Sequence, residues 1–311
     1  MLTRPVLFAP IAIAVLALAA YGVKLYTAQA AASTERTQLM ADVKTAVAAQ
    51  PVDGSELSRL VARLKRLPDH ETANDAVAAM ARIELARDRP RRAADLFAAI
   101  ASRPGASPAE HRLAAEILLR VQESGGEERE AAAGLLRQVL TFAENAYRDS
   151  SDATDLLRAW LAAFRLGQTE RAGELAKKLV AGHADAPATQ FVQLVKTFEP
   201  SKAREVAAMA AAFVVPPVEV EAMRVLTLLE ARDLEGALTA AEALIARAPG
   251  VVQARWAAAL VFHGCAVGHA AGSAERQSWL VRRDAQLDWL SRNAPVEDPR
   301  QAQWAALRDA R

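Results

Sequence analysis

Apolar residues recur along this chain at the spacing of an α-helix. Between 233 and 248 they fall at Leu234, Leu238, Ala241, Leu244, Ile245 and Ala248; between 154 and 166 they fall at Leu156, Leu157, Trp160, Leu161 and Phe164. Both sets fit a 3.6-residue period with one buried face. Neither stretch is long enough to be a stable helix alone in water, so each must pack on neighbours. Strand signals are nearly absent, with no run that alternates Val, Ile, Thr and Tyr between turns. Breaks follow one another roughly every 15 to 20 residues, among them Pro51-Val-Asp-Gly54, Asp88-Arg-Pro90, Pro104-Gly105, Gly125-Gly126, Gly167, Pro216-Pro217 and Pro249-Gly250. That is one helix plus one turn. Ser107-Pro-Ala-Glu110 predicts a helix start, the serine and glutamate forming a capping box and the proline giving up an amide that would lack a partner anyway. The expected fold class is all-α, a succession of antiparallel helical hairpins from about residue 33 onward.

The first residues follow a different pattern. From Pro5 to Val23 the chain runs without a charge, bracketed by Arg4 and Lys24. At ~1.5 Å per residue, a helix of that length spans roughly 28 Å, close to the hydrocarbon thickness of a bilayer. Tyr21 and Tyr26 stand at its far end, where aromatic belts lie. Residues 1–32 therefore read as a retained single-pass anchor. The alternative is a secretory signal cleaved near Ala30, after Ala28-Gln29-Ala30. A buried core helix is the third reading.

The hairpin pattern resembles the tetratricopeptide repeat family, whose unit is a helix pair of about 34 residues with small residues at the crossing and a closing proline. The best match runs from about 218 to 251, where the second helix reads Ala237-x3-Ala241-x2-Leu244-x4-Pro249. Ala93-x3-Phe97-x2-Ile100 and Ala172-x3-Ala176-x2-Leu179 repeat the spacing, and weaker counterparts centre on Ala131 and Ala203. In chain order these alanines are Ala93, Ala131, Ala172, Ala203 and Ala237, and the intervals between them are uneven. The resemblance implies an α-solenoid over 33–271 with a concave face for peptides or protein segments. The uneven intervals favour a distorted array over a regular superhelix. Residues 272–311, with Trp279, Leu280, Leu287, Leu290 and Trp304, read as capping helices that close the stack.

Composition narrows the function. Lys and Arg total 38 against 37 Asp and Glu, which argues against a nucleic-acid partner. The heavy use of Ala and of Arg over Lys points to a GC-rich bacterial genome. The single cysteine, Cys265, excludes an intramolecular disulfide. His263-Gly-Cys265-Ala-Val-Gly-His269 is the one local cluster of metal-ligand types, but one helix cannot aim all three side chains at a common point. Packing at a helix end, with small residues that permit a close approach, is the stronger reading, so no metal or other cofactor is expected. His70 and His111, near predicted helix starts, are expected to be exposed. Carboxylate pairs such as Glu127-Glu128 and Glu219-Val-Glu221 fall at predicted helix starts, where the dipole favours them. No nucleophile elbow, phosphate loop or dinucleotide fingerprint occurs.

Trp279, Arg282, Arg283 and Trp289 form the candidate protein-binding set, because Trp and Arg dominate interface hot spots. The expectation is a non-enzymatic scaffold held in the bacterial inner membrane by residues 5–23, with its body in the periplasm and other membrane or envelope proteins as partners. A fixed subunit of a larger membrane complex, and an enzyme or metal-binding protein, are the alternatives.

Overall fold

The computed structural model describes the backbone of residues 8–49 and 51–310, and side chains at 24, 26, 27, 29–49 and 51–310. The described residues form helices joined by turns, with no strand among them. No helix among them is long and apolar enough to cross a membrane. The anchor expected at residues 5–23 lies outside the residues whose side chains are described. The chain divides into two compact units, residues 1–96 and 97–311.

In the first unit, α1 (Phe8–Ala48), α2 (Gly54–Leu64) and α3 (Asn74–Ala86) pack on one another. Leu39 and Val43 of α1 meet Leu57, Leu60 and Leu64 of α2 and Ala79 and Ile83 of α3. These positions recur at three- and four-residue intervals, so each helix turns one stripe inward. Asp53 caps α2 by accepting from the amides of Ser55 and Glu56. Arg36 of α1 ties the bundle across its surface, donating to Asp69 in the α2–α3 turn and to Asp75 of α3. After a short turn the chain enters α4 (Pro90–Ala101), which carries it into the second unit.

The second unit continues with α5 (Pro108–Ser124), α6 (Arg129–Ser150), α7 (Ala153–Arg165), α8 (Thr169–Gly182), α9 (Pro187–Thr197) and α10 (Ala203–Ala211). It ends with α11 (Val218–Glu230), α12 (Leu234–Arg247), α13 (Val252–Val267), α14 (Ala274–Asn293) and α15 (Gln301–Asp309). From α5 to α15 each helix packs on the next, and α7 with α9 and α11 with α13 also meet. The predicted capping box at Ser107 and Glu110 is formed, with Pro108 as first helical residue.

Two stretches repeat closely. Ala153 and Val218, Thr169 and Leu234, and Pro187 and Val252 are the starts of corresponding helices, and all three pairs are separated by the same length of chain. A helix, a three-residue turn and a second helix thus fill equal stretches from Ala153 to Pro187 and from Val218 to Val252. The α9–α10 hairpin between them, from Pro187 to Val218, is shorter. Hairpins of unequal length accord with the uneven spacing of the alanines.

The turns repeat in atomic detail. In α7–α8 the amides of Leu166, Gly167 and Gln168 donate to the carbonyls of Ala162, Phe164 and Ala163. In α11–α12, Ala231, Arg232 and Asp233 donate to Thr227, Leu229 and Leu228 in the same pattern. In α3–α4, Arg87, Asp88 and Arg89 donate to Ile83, Leu85 and Glu84. The middle residue of each turn is left-handed: Asp88 at φ 56°, Gly167 at 74° and Arg232 at 59°. The final bond reaches five residues back and satisfies a carbonyl that the ending helix would leave free. In the second helices, Ala237, Ala241 and Leu244 are buried, as are Ala172, Ala176 and Leu179.

The consecutive packing is compatible with a solenoid, and within the second unit hairpins far apart in sequence also close on one another. The turn after α5 abuts the turn between α12 and α13, where the Gly250 amide donates to the Glu123 carbonyl at 3.0 Å. Gln122 Nε2 donates to the Gly250 carbonyl at 2.9 Å. A Cβ at Gly250 would collide with the carbonyl oxygen of Gln122 and the backbone of Gly125, so this approach requires glycine. At the C-terminal end α14 lies along α13, and Leu287, Leu290, Ala294 and Trp304 bury together.

Candidate binding cavity

Where these turns meet, the second unit forms a partly open cavity of about 850 Å³. Its wall is mostly apolar and includes Leu136 of α6, Trp160 and Phe164 of α7, Val252 of α13 and Trp289 of α14. Residues 295–300, between α14 and α15, complete it. The helical period accounts for the aromatic side: Trp160 and Phe164 are one turn apart, and their rings stack at 4.9 Å with an interplanar angle of 10°. Phe191 meets Trp160 edge-on at 5.7 Å.

Beside this apolar surface lies a buried ionic network. Arg165, the last residue of α7, donates through Nε to Glu219 Oε1 at 2.8 Å, through Nη1 to Gln122 at 2.9 Å and through Nη2 to Glu123 at 2.9 Å. The side chains of Arg165 and Glu219 are only 4% and 2% exposed. Burial lowers the guanidinium pKa, but Glu219 and Glu123 outweigh it and hold it above the ordinary arginine value. α5, α7 and α11 are thereby fastened at one point. A second pair lies in the 295–300 segment, where Arg300 donates to Asp298 at 2.9 and 2.6 Å. Burial raises the Asp298 carboxyl, yet these bonds bring it below its usual value.

Two buried polar atoms of wall residues have no hydrogen-bond partner: the Trp160 indole nitrogen and the Gln253 amide oxygen. Leaving such a group unsatisfied costs about 1–3 kcal/mol. The lining contains neither His nor Cys. The arrangement is an apolar chamber with a few fixed polar groups, the form of a small-molecule site.

The sequence candidates are dispersed. His263 of α13 faces Arg283, with Nδ1 3.3 Å from the guanidinium; burial, then the charges of Arg283 and Arg276, lowers its pKa. Cys265 is buried in the α11–α13 core, and that burial raises its thiol. His269, just past α13, is exposed and accepts from Arg276 through its carbonyl. Among the described residues no group of three His, Cys, Asp or Glu is placed to hold a metal ion. Arg283 is 2% exposed and donates to the carbonyls of Ala310 and Arg308 at 2.6 and 3.1 Å, closing the end of α15. Arg282 lies over the Phe262 and Trp279 rings at 4.2 and 4.7 Å and pairs with Glu242. Of the four binding candidates, only Trp289 lines the cavity.

His111, expected to be exposed, is buried at 8%, because α6 packs on α5 and sets Phe142 5.9 Å from its ring. The aromatic cavity residues on α7, Trp160 and Phe164, were legible only as core. Arg165 carries no local signal, since its partners lie 42, 43 and 54 residues away. Compared with known proteins, the chain matches no family model and no curated protein.

Proposed function

We propose that this protein is a membrane-tethered scaffold of the tetratricopeptide type, an adaptor or assembly factor that binds other proteins of the bacterial envelope without catalysis. The observation that supports this most is the repeated hairpin, of equal length from Ala153 and from Val218 and with one turn geometry in both. That length agrees with the family's unit of about 34 residues. Such hairpins stacked in sequence are the building plan of the family, which serves as a surface for protein segments. Residues 5–23 would hold the body at the inner membrane, facing the periplasm, and would raise its effective concentration toward membrane-borne partners.

The test is a gentle detergent pull-down of the full-length protein from its native membrane, beside a version lacking residues 1–32. Defined partners recovered with both versions identify the helical array as the binding module. Partners lost without residues 1–32 point to a fixed subunit held through the membrane segment. Recovery of no defined partner with either version sinks the scaffold reading.

A further inference from the structure

We infer that the cavity is a binding site for a compact apolar molecule bearing a single carboxylate, a role beyond the scaffold reading. At about 850 Å³ it falls within the ~300–1,000 Å³ range of small-molecule sites. Its apolar wall accounts for the body of such a ligand, and its charges account for the head.

Three helices begin in that wall: α6 with Arg129 and Glu130, α8 with Thr169, and α13 with Val252 and Gln253. Their N-cap residues, Glu128, Gln168 and Val251, make no side-chain hydrogen bond to the first turn. In the same unit Ser107, Asp152, Asp233 and Ser273 cap their helices, while α9, α10, α11 and α15 also start without a side-chain cap. Each helix start brings a partial positive charge of about +0.5 to the wall.

The side-chain charges point the same way. Arg165 is matched by Glu219 and Glu123, Arg300 by Asp298, and Glu130 by Arg137. Glu127 is itself engaged. Half-buried Arg129 donates only to the Ala294 carbonyl, a neutral group, and exposed Lys196 pairs with no carboxylate. Glu297, exposed on the same wall, is the opposing unmatched charge. A single carboxylate suits Arg129, a half-buried cation of the wall whose one bonded partner is neutral, whereas a multiply charged phosphate would meet Glu297 and Asp298 beside it. The planar guanidinium of Arg129 matches a carboxylate in shape as well as charge. Trp160, 2% exposed, adds its ring to the apolar side of the wall.

The test uses the full-length protein in nanodiscs, with empty nanodiscs as the blank, and three probes of one shape: naphthylacetate, neutral naphthylacetamide and cationic naphthylethylamine. Calorimetry should show the acid binding about tenfold more tightly than the amide, with the amine weakest. Arg129→Gln should bring the acid down to the level of the amide, and Arg129→Lys should recover part of the preference. Equal affinity for acid and amide, no binding of any probe, or an undiminished preference in Arg129→Gln would overturn the inference. If Arg129→Gln loses its helical circular dichroism, Ala133→Trp, which fills the chamber, takes its place; acid binding retained there overturns the inference equally. No partner protein enters these measurements, so their failure leaves the scaffold reading standing, and the pull-down can fail without touching them.

Discussion

Arg36 in the first unit and Arg165 in the second hold similar posts. Each bonds to carboxylates on two other segments of its own unit and draws them together. Their surroundings differ: the Arg36 side chain is 28% exposed and its partners Asp69 and Asp75 are 41% and 48% exposed, whereas Arg165 and Glu219 are nearly sealed from water. Solvent screens the first set and stabilises its members when they are separated. In the second, each charge depends on the other, because neither has water to fall back on. The difference teaches that an ion pair is a surface trim in one unit and a structural joint in the other.

The sharpest way to break the comparison is Arg165→Leu. It strands Glu219 in the interior and should cost about 3–5 kcal/mol in urea unfolding. All five tryptophans lie in the second unit, so their fluorescence follows that unit alone. The double change Arg165→Leu with Glu219→Leu should recover much of that loss, since an apolar pair replaces an ionic one; a double variant no better than the single would contradict the account. Gly250→Ala comes next. Its methyl group would strike the backbone of α5, and about 1–3 kcal/mol of overpacking should appear in the same transition.

Arg36→Gln should be the mildest of the substitutions, about 1 kcal/mol or less after solvent screening. Hydrogen exchange of peptides from residues 33–86 would read it. Its cost should fade in concentrated salt, while that of Arg165→Leu persists; equal salt sensitivity would erase the contrast.

Acid separates the two regions further. Burial lowers the pKa of His111, so the unfolded chain takes up a proton near 6.5 that the folded second unit resists. Stability there is full above 6.5 and declines as the pH falls below it. In the first unit the hydrogen bond from Arg36 holds Asp75 below its ordinary 3.8, so that contribution is full above 3.8 and is lost only in stronger acid. Tryptophan-monitored stability should therefore decline from pH 7 to pH 5, and His111→Gln should flatten the decline; an unchanged slope would count against the burial assigned to His111.

Local features were the readable ones. The capping box at Ser107, the stripe through Leu156, Leu157 and Trp160, and the alanines of α12 all stand as expected. The left-handed turn was signalled at Gly167, where glycine allows it, and not at Arg232, where the same hydrogen-bond pattern imposes it on a residue with no preference for it. The pair Gly125-Gly126 read as a lone turn, yet Gly125 abuts Gly250 from the other side of the unit. His111 looked like a helix-start residue in water and is instead covered by Phe142.

Helices, caps and hairpin lengths were written in the chain because their hydrogen bonds join residues three to five apart, and side-chain period and turn chemistry are local properties. The closure of the second unit, its cavity and the burial of Arg165 depend on angles that accumulate over several hairpins. They bring Gln122 to Gly250, 128 residues away, and Arg165 to Glu219, 54 away. No window of sequence contains both members of such a pair, so their meeting belongs to the packed structure alone.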